Sequence, residues 1–168
     1  VELQRAIAKK NTQTSKARLV AGYCWEWRSK RNPDAWDIDL PEFDFHMKWN
    51  MESKAGPWVL RPDSLEEIGC IHTCQGLEVD YVGVIIGPDL VSDGYRLITD
   101  ASKRAHSDKS VSGYRKLLRE DPLKGEELLE RIIKNTYRTL MTRGMRGCYV
   151  YCTDKGLEDY FKACTRPQ

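Results

Sequence analysis

The sequence predicts one α/β domain, a mostly parallel sheet flanked by helices. Three observations carry that expectation. Short apolar runs at residues 17–25, 67–72, 80–87 and 147–152 are rich in strand formers with little polar alternation, the pattern of strands covered on both faces. Residues 2–10, 125–141 and 155–164 instead place apolar side chains three and four apart, as helices with one buried side do. The two patterns alternate along 168 residues, a length suited to a single domain with a sizeable core. Such alternation favours parallel strands joined by right-handed crossovers.

Taken in order, Leu3, Ala6 and Ile7 share one side of residues 2–10 with basic residues opposite, which predicts a short amphipathic helix. ARLVAGYCW (17–25) predicts a buried strand, and EWRSKRNPDAWDIDLPEFD, polar and proline-punctuated, predicts a loop. FDFHMKW (43–49) alternates with period two and predicts a strand less buried than its neighbour. EIGCIH and DYVGVIIG predict interior strands. In GEELLERIIKNTYRTLM (125–141), Leu128, Leu129, Ile132, Ile133, Tyr137 and Leu140 fall on one side of a helix docked on the sheet. GCYVYC (147–152) then predicts a strand, and KGLEDYFKAC (155–164) a closing helix.

Residues 89–122 break the alternation. They carry turn signals at Asp93-Gly94 and Ser112-Gly113 and a run of cations: Arg96, Lys103, Arg104, Lys109, Arg115, Lys116 and Arg119. Two readings stand side by side, a basic arm over a phosphate backbone or a solvated, mobile insertion.

Composition excludes several classes. The chain has 27 Lys and Arg against 25 Asp and Glu, so global charge neither demands nor excludes nucleic acid. Six cysteines match neither a disulfide framework nor paired zinc knuckles, and predict reduced, mostly buried thiols in a cytoplasmic protein. Zinc held by Cys70, Cys74, His72 and a distant partner is a poorer fit, because structural sites have tighter paired spacing. No apolar stretch is long enough to cross a bilayer, and the opening residues are not a signal peptide. The chain starts at Val1, and the expectation is that it is cut from something longer. No GxxxxGK[ST] loop and no GxGxxG turn occurs to cradle nucleotide phosphates with backbone amides. His72 and Cys74, two residues apart on leaving a strand, need not face each other as a nucleophile pair.

The segment CIHTCQGLEVDYVGVII (70–86) places His72, Gln75, Gly76 and Glu78 between two apolar runs. It resembles motif V of superfamily 1 helicases, roughly T-x-H-x-x-[KQ]-G-x-E followed by a strand, and departs from it at Cys70, where threonine is usual. Later, YRTLMTRGMRGCYVYC resembles motif VI, with Thr142 and Arg143 in the signature places at a helix end before a strand. With RLVAGYCWEW and GPDL, these blocks make most of the chain similar to the Schlafen group 3-like helicase domain.

That resemblance implies a RecA-like sheet of the P-loop NTPase type: the second, C-terminal domain of a superfamily 1 helicase, without its own Walker A. It implies ATP and Mg²⁺ bound mainly by an upstream Walker-A domain of the same polypeptide, and single-stranded DNA or RNA as the track. By resemblance Arg143 is the arginine finger, with Arg146 as an alternative finger or phosphate contact. Gln75, Gly76 and Glu78 would border the nucleotide, while His72 and Thr73 would face the single strand. A permanently charged, planar guanidinium suits charge building on a γ-phosphoryl group. Gly76 permits a turn that a side chain would obstruct. Plainer readings stand beside these: Arg143 satisfying carbonyls at a helix end, His72 as a core histidine, and Glu78 as a helix cap.

The resemblance further requires the 72–78 turn and the Arg143 corner to open side by side on one rim, with Arg143 exposed at the carboxyl edge of the sheet. Trp25, Trp27, Trp36, Trp49 and Trp58 lie near Arg28, Lys30 and Arg31 and suit either base stacking or core packing. Two rivals remain. RGCYVYC resembles the strand signature of antiparallel ribonucleoprotein-type RNA-binding sheets. A helicase-derived domain kept as a non-catalytic nucleic-acid-binding or protein-interaction platform is the other.

Overall fold

The computed structural model describes residues 2–50 and 57–165. Its centre is a parallel sheet in the order β1-β5-β8, formed by β1 (Ala17–Ala21), β5 (Val79–Ile86) and β8 (Gly144–Cys152). β2 (Ile38–Leu40) pairs antiparallel with β3 (Phe45–Trp49), which pairs parallel with β4 (Glu67–Ile68). Gly69 joins the two groups. Its N–H donates to Leu19 O at 3.0 Å and its carbonyl accepts from Ala21 N at 2.9 Å. The sheet therefore runs β2-β3-β4-β1-β5-β8, with only β2 reversed. A parallel partner on β8 excludes the antiparallel ribonucleoprotein-type reading of RGCYVYC.

Both faces of the central strands are covered, as their composition predicts. Val20, Val82, Val84 and Ile86 face one layer; Leu19, Ala21 and Ile85 face the other. On the first lies α3 (Pro122–Met141), which buries Leu129, Ile133, Tyr137 and Leu140. Full burial of each such side chain contributes about 1.5–3 kcal/mol. Its start is set by Asp121, whose side chain accepts from Lys124 N, followed by Pro122 in the first turn, where a missing N–H costs nothing. α4 (Lys155–Thr165) adds Leu157 to this layer, and α1 (Glu2–Thr14) seals the other with Ile7. Gly22 is required where β1 leaves the sheet, because a Cβ there would sit 2.0 Å from the Tyr137 hydroxyl.

Several elements differ from expectation. The first strand stops at Ala21 rather than running to residue 25, and the fourth ends at Ile68 rather than His72. The polar 26–44 stretch contains β2, whose Ile38 is buried against the sheet. Residues 89–122 fold onto the sheet instead of standing off as a solvated insertion. They form a hairpin, β6 (Leu90–Ser92) and β7 (Leu97–Thr99), two short 3-10 turns and α2 (Tyr114–Glu120), and they bury Leu90, Ala101, Ala105 and Val111. Arg104, counted among the basic arm, points inward between Asp89 and Asp108; Arg96, Lys103, Lys109, Arg115, Lys116 and Arg119 remain exposed.

Candidate functional site

The 70–78 turn connects β4 to β5, strands separated by β1, so it must cross one face of the sheet. Its first part is a single helical turn in which Cys70 O accepts from Thr73 N (3.1 Å) and Cys74 N (3.0 Å). The Thr73 hydroxyl accepts from Cys70 N and donates to Cys70 O, both at 3.0 Å, so it is engaged within the turn rather than offered to a ligand. Cys74 then buries its thiol beside Trp58, and Gly76 turns the chain with φ 72°. A Cβ on Gly76 would meet nothing within 4 Å, so the backbone angle, not crowding, calls for glycine. Gln75, Gly76 and Glu78 are exposed, and neither the Gln75 nor the Glu78 side chain has a partner among the described residues.

Arg143 follows the end of α3. Thr142 closes the helix with its hydroxyl on Arg138 O (3.0 Å) and Thr139 O (3.1 Å). The half-buried Arg143 side chain donates Nε to Thr139 O at 3.1 Å and Nη1 to Leu77 O at 3.3 Å. Its carbonyl accepts from Val79 N at 2.9 Å. Among the described residues no carboxylate pairs with this guanidinium, and Nη2 is unengaged. The helix end and the glutamate end of the turn are thus clasped together. Arg146, exposed, lies 4.0 Å from Asp80 and 5.7 Å above the Tyr81 ring on the same rim.

That rim is the amino edge of β5 and β8, not the carboxyl edge expected for Arg143, because Arg143 immediately precedes β8 and Leu77 precedes β5. His72 lies at the other end. Its ring stands edge-on to Tyr23, centroids 6.0 Å apart, where β1 has left the carboxyl edge, and its Nε2 is 3.7 Å from Asp108. The shared rim expected for the whole turn holds for Leu77–Val79 and fails for His72. The cause is that β4 ends beside Val20 while β5 begins below Ala17, which obliges the connection to span the sheet.

His72 is exposed, which sets aside the core-histidine reading, and it sits in an aromatic neighbourhood. Tyr23 packs against Trp49 (5.4 Å) and Trp27 (6.4 Å), and Lys30 lies 3.7 Å over the Trp27 ring. Trp49 and Trp58 are core residues, whereas Trp36 is 47% exposed with Lys48 5.2 Å from its ring. Of the five tryptophans, Trp36 is exposed, Trp25 and Trp27 are half-buried against the core, and Trp49 and Trp58 are withdrawn from stacking by burial.

The Cys-His pair and the zinc site weighed from the sequence do not assemble among the described residues. Burial pushes the Cys74 thiol up to about 12, and His72 faces Asp108 instead, so the two form no nucleophile pair. Cys70 and Cys74 enter opposite core layers, and among the described residues no three His, Cys, Asp or Glu side chains gather to hold a metal ion. All six cysteines are free: Cys70, Cys74 and Cys152 are buried, Cys24 is half-buried, and Cys148 and Cys164 are exposed, so four of the six are at least partly inside. Among the described residues no helix is long and apolar enough to cross a membrane.

Sequence reasoning passed over three residues that shape this site: Tyr23, Asp108 and Arg18. Arg18 carried a signal, being a cation inside the otherwise apolar ARLVA strand, and it lines the same narrow cavity as Arg143.

Fold and site together define an α/β domain in which the segment resembling helicase motif VI is clasped to the Leu77–Val79 end of the segment resembling motif V, while His72 of that segment lies at the opposite rim. The chain belongs to the family described as Schlafen group 3, DNA/RNA helicase domain, which matches residues 1–154. It is similar to the uncharacterized protein YPL245W of Saccharomyces cerevisiae, with 30% identity over 161 residues. The match covers 94% of this chain and 34% of the yeast protein, so the chain spans about a third of that relative's length. No solved structure matches it.

Proposed function

We propose that this chain supplies the arginine-bearing side of a nucleotide site in an ATP-dependent, superfamily 1 type helicase or translocase, as a RecA-like second domain. A Walker-A domain of the same polypeptide would supply the other side. The observation that carries the reading is the clasp between Arg143 and the 75–79 turn. It fixes a guanidinium that has no carboxylate partner among the described residues beside the exposed, unpartnered Glu78 and Gln75. Carbonyl bonds from Nε and Nη1 set the plane of the fork, and Nη2 is left to meet charge on a phosphoryl oxygen. Arg146 adds a second cation on that rim. Mg²⁺, which neutralises phosphate charge, finds no cluster of ligands among the described residues and belongs to the Walker-A side of the reading.

At the opposite rim, exposed His72 and Trp36, half-buried Trp27, and Lys30 and Lys48 offer rings and cations to a single strand of DNA or RNA, with stacking worth about 1–3 kcal/mol per base, while buried Tyr23 backs the His72 ring. The 70–78 turn runs between the two rims, so a shift of Leu77 on nucleotide closure would move His72 as well. The test is ATP turnover, with and without single strand, of the full-length protein and its Arg143→Ala variant. The reading expects turnover from the full-length protein, a loss of about a thousandfold in the variant, and none from this chain alone. Robust hydrolysis by the chain alone would contradict it.

One observation favours the second reading, a helicase-derived protein-interaction platform. Arg143 spends its Nε and Nη1 on carbonyls, as a purely structural arginine at a helix end does. On that reading Arg143→Ala leaves the biological output unchanged.

A further inference from the structure

Among the described residues three arginines are buried, and two have carboxylates beside them. Arg104 lies between Asp89 and Asp108, and Arg61 pairs with Glu67. Arg18, 4% exposed on β1, is different. Its Nη1 donates to Asn11 Oδ1 and Ala17 O, both at 2.7 Å, its Nη2 donates to Val59 O, and its buried Nε has no partner. All of its partners are neutral, and none of the described carboxylates pairs with it. A charge taken out of water and left without an opposite one is costly, and proteins seldom keep one without a use.

Its place suggests the use. Arg18 and Arg143 line one narrow cavity walled by Val20, Cys74, Leu77 and Val79, with room for about 10 Å³, roughly one water molecule. Neither guanidinium has a carboxylate, and apolar walls let the field of the inner one reach the outer with little screening. Burial alone holds the Arg18 guanidinium below its ordinary pKa, the direction expected of a cation without its counter-charge.

We propose that Arg18 is the buried member of a two-arginine anion site whose counter-charge is a phosphoryl group seated at the cavity mouth on Arg143. This rests on the nucleotide reading given above. The cavity is too small for a phosphate, so Arg143 makes the contact and Arg18 is a positioning residue. It supplies a second positive charge behind the first and holds Val59, at the cavity wall, through Nη2.

Inorganic pyrophosphate, titrated at constant ionic strength into the full-length protein, tests this with Arg18→Met, Arg18→Lys and Arg143→Ala. Arg18→Met removes the uncompensated buried charge but also its hydrogen bonds to Asn11, Ala17 and Val59, two effects of opposite sign on stability, so the deciding readout is pyrophosphate affinity rather than melting temperature. Its pyrophosphate affinity falls about tenfold, as expected for one lost charge acting from behind Arg143 on an anion that itself faces solvent. A variant that melts lower yet binds pyrophosphate like wild type overturns the proposal and makes Arg18 structural. Loss of binding in Arg143→Ala but not in Arg18→Met overturns it while leaving the nucleotide reading standing; indifference of both variants sinks both.

If Arg18→Met does not fold, Arg18→Lys decides. A buried lysine titrates at lowered pKa, so its affinity relative to wild type must fall as pH rises from 7 to 9. A constant ratio refutes the role.

Discussion

The Arg143 guanidinium donates to the carbonyl oxygen of Leu77 across 3.3 Å, and this bond ties the end of a helix to a turn 66 residues earlier. The Val79 N–H returns the contact to the Arg143 carbonyl at 2.9 Å. Substitution of Arg143 by alanine removes the side-chain bonds and keeps the main-chain one. The expected stability loss is about 2–4 kcal/mol, read as a shift in the urea midpoint, because hydrogen bonds from a charged donor contribute about 1.5–3 kcal/mol each and the half-exposed site places this pair toward the low end. ATP turnover by the full-length protein is expected to fall far more, about a thousandfold, and Arg143→Lys should rescue little because it loses the planar fork. If turnover drops only in proportion to the unfolded fraction, Arg143 is a structural residue.

Gly76 makes a separate prediction. With φ 72° and open space where a Cβ would go, its substitution is a backbone experiment rather than a packing one. Gly76→Ala is expected to cost about 1–2 kcal/mol, the penalty for an L-residue in the left-handed region, and Gly76→Asn clearly less. Equal melting temperatures for the two variants would show that the turn relaxes to another conformation.

Much of this fold is legible in the sequence because central parallel strands and an amphipathic helix leave strong patterns. The runs that became β1, β5 and β8, and the apolar side of α3, are visible in a single pass. β2 was not, since only Ile38 of its three residues is buried and prolines flank the segment. Nor does a sequence say which edge of a sheet a turn faces. His72 and Glu78 are six residues apart, yet the short β4 and the intervening β1 send them to opposite rims. Charge is equally ambiguous: Arg104 and Lys103 are neighbours in one basic run, and only the first finds aspartates inside. Those aspartates lie before and after it in the chain, in turns whose approach depends on the whole excursion folding.

That buried triad predicts a reversal of pH dependence. Burial pushes the Asp108 carboxyl up, but the Arg104 charge and hydrogen bonds from Ser110 outweigh it and hold the group below its usual value. A folded pKa below the unfolded one contributes stability that is complete above the unfolded value, about 3.9, and is lost as pH falls through the folded value. Wild type should therefore lose stability only below about pH 4. Arg104→Met leaves Asp89 and Asp108 buried without their cation, at a cost of about 3–5 kcal/mol at pH 7. With the Arg104 charge gone, burial is left to push the Asp108 carboxyl up, so the variant should gain stability as pH falls from 7 toward 5. Urea midpoints across that range check the sign, and parallel profiles for the two proteins would contradict the triad.

The cysteines report on whether the 70–78 turn stays closed. Cys164 and Cys148 are exposed, but burial around the Cys148 thiol pushes it up to about 11, so at pH 8 only about one molecule in a thousand carries the thiolate there. Cys74 and Cys152 are buried with thiols pushed up to about 12. Alkylation by iodoacetamide, followed by peptide mass spectrometry, should modify Cys164 first. Cys148 should follow, its rate rising about tenfold per pH unit between 7 and 10 because the thiolate is the nucleophile. Cys74 should react only when denaturant opens the fold. Its thiol packs beside Trp58 under the strand junction at Gly69, and exposing it requires the helical turn begun at Cys70 to unwind. Labelling of Cys74 in the native protein at the Cys164 rate would mean that the turn samples an open form. The clasp between Leu77 and Arg143 would then be transient, and a guanidinium preset for a phosphoryl group could not be inferred from it.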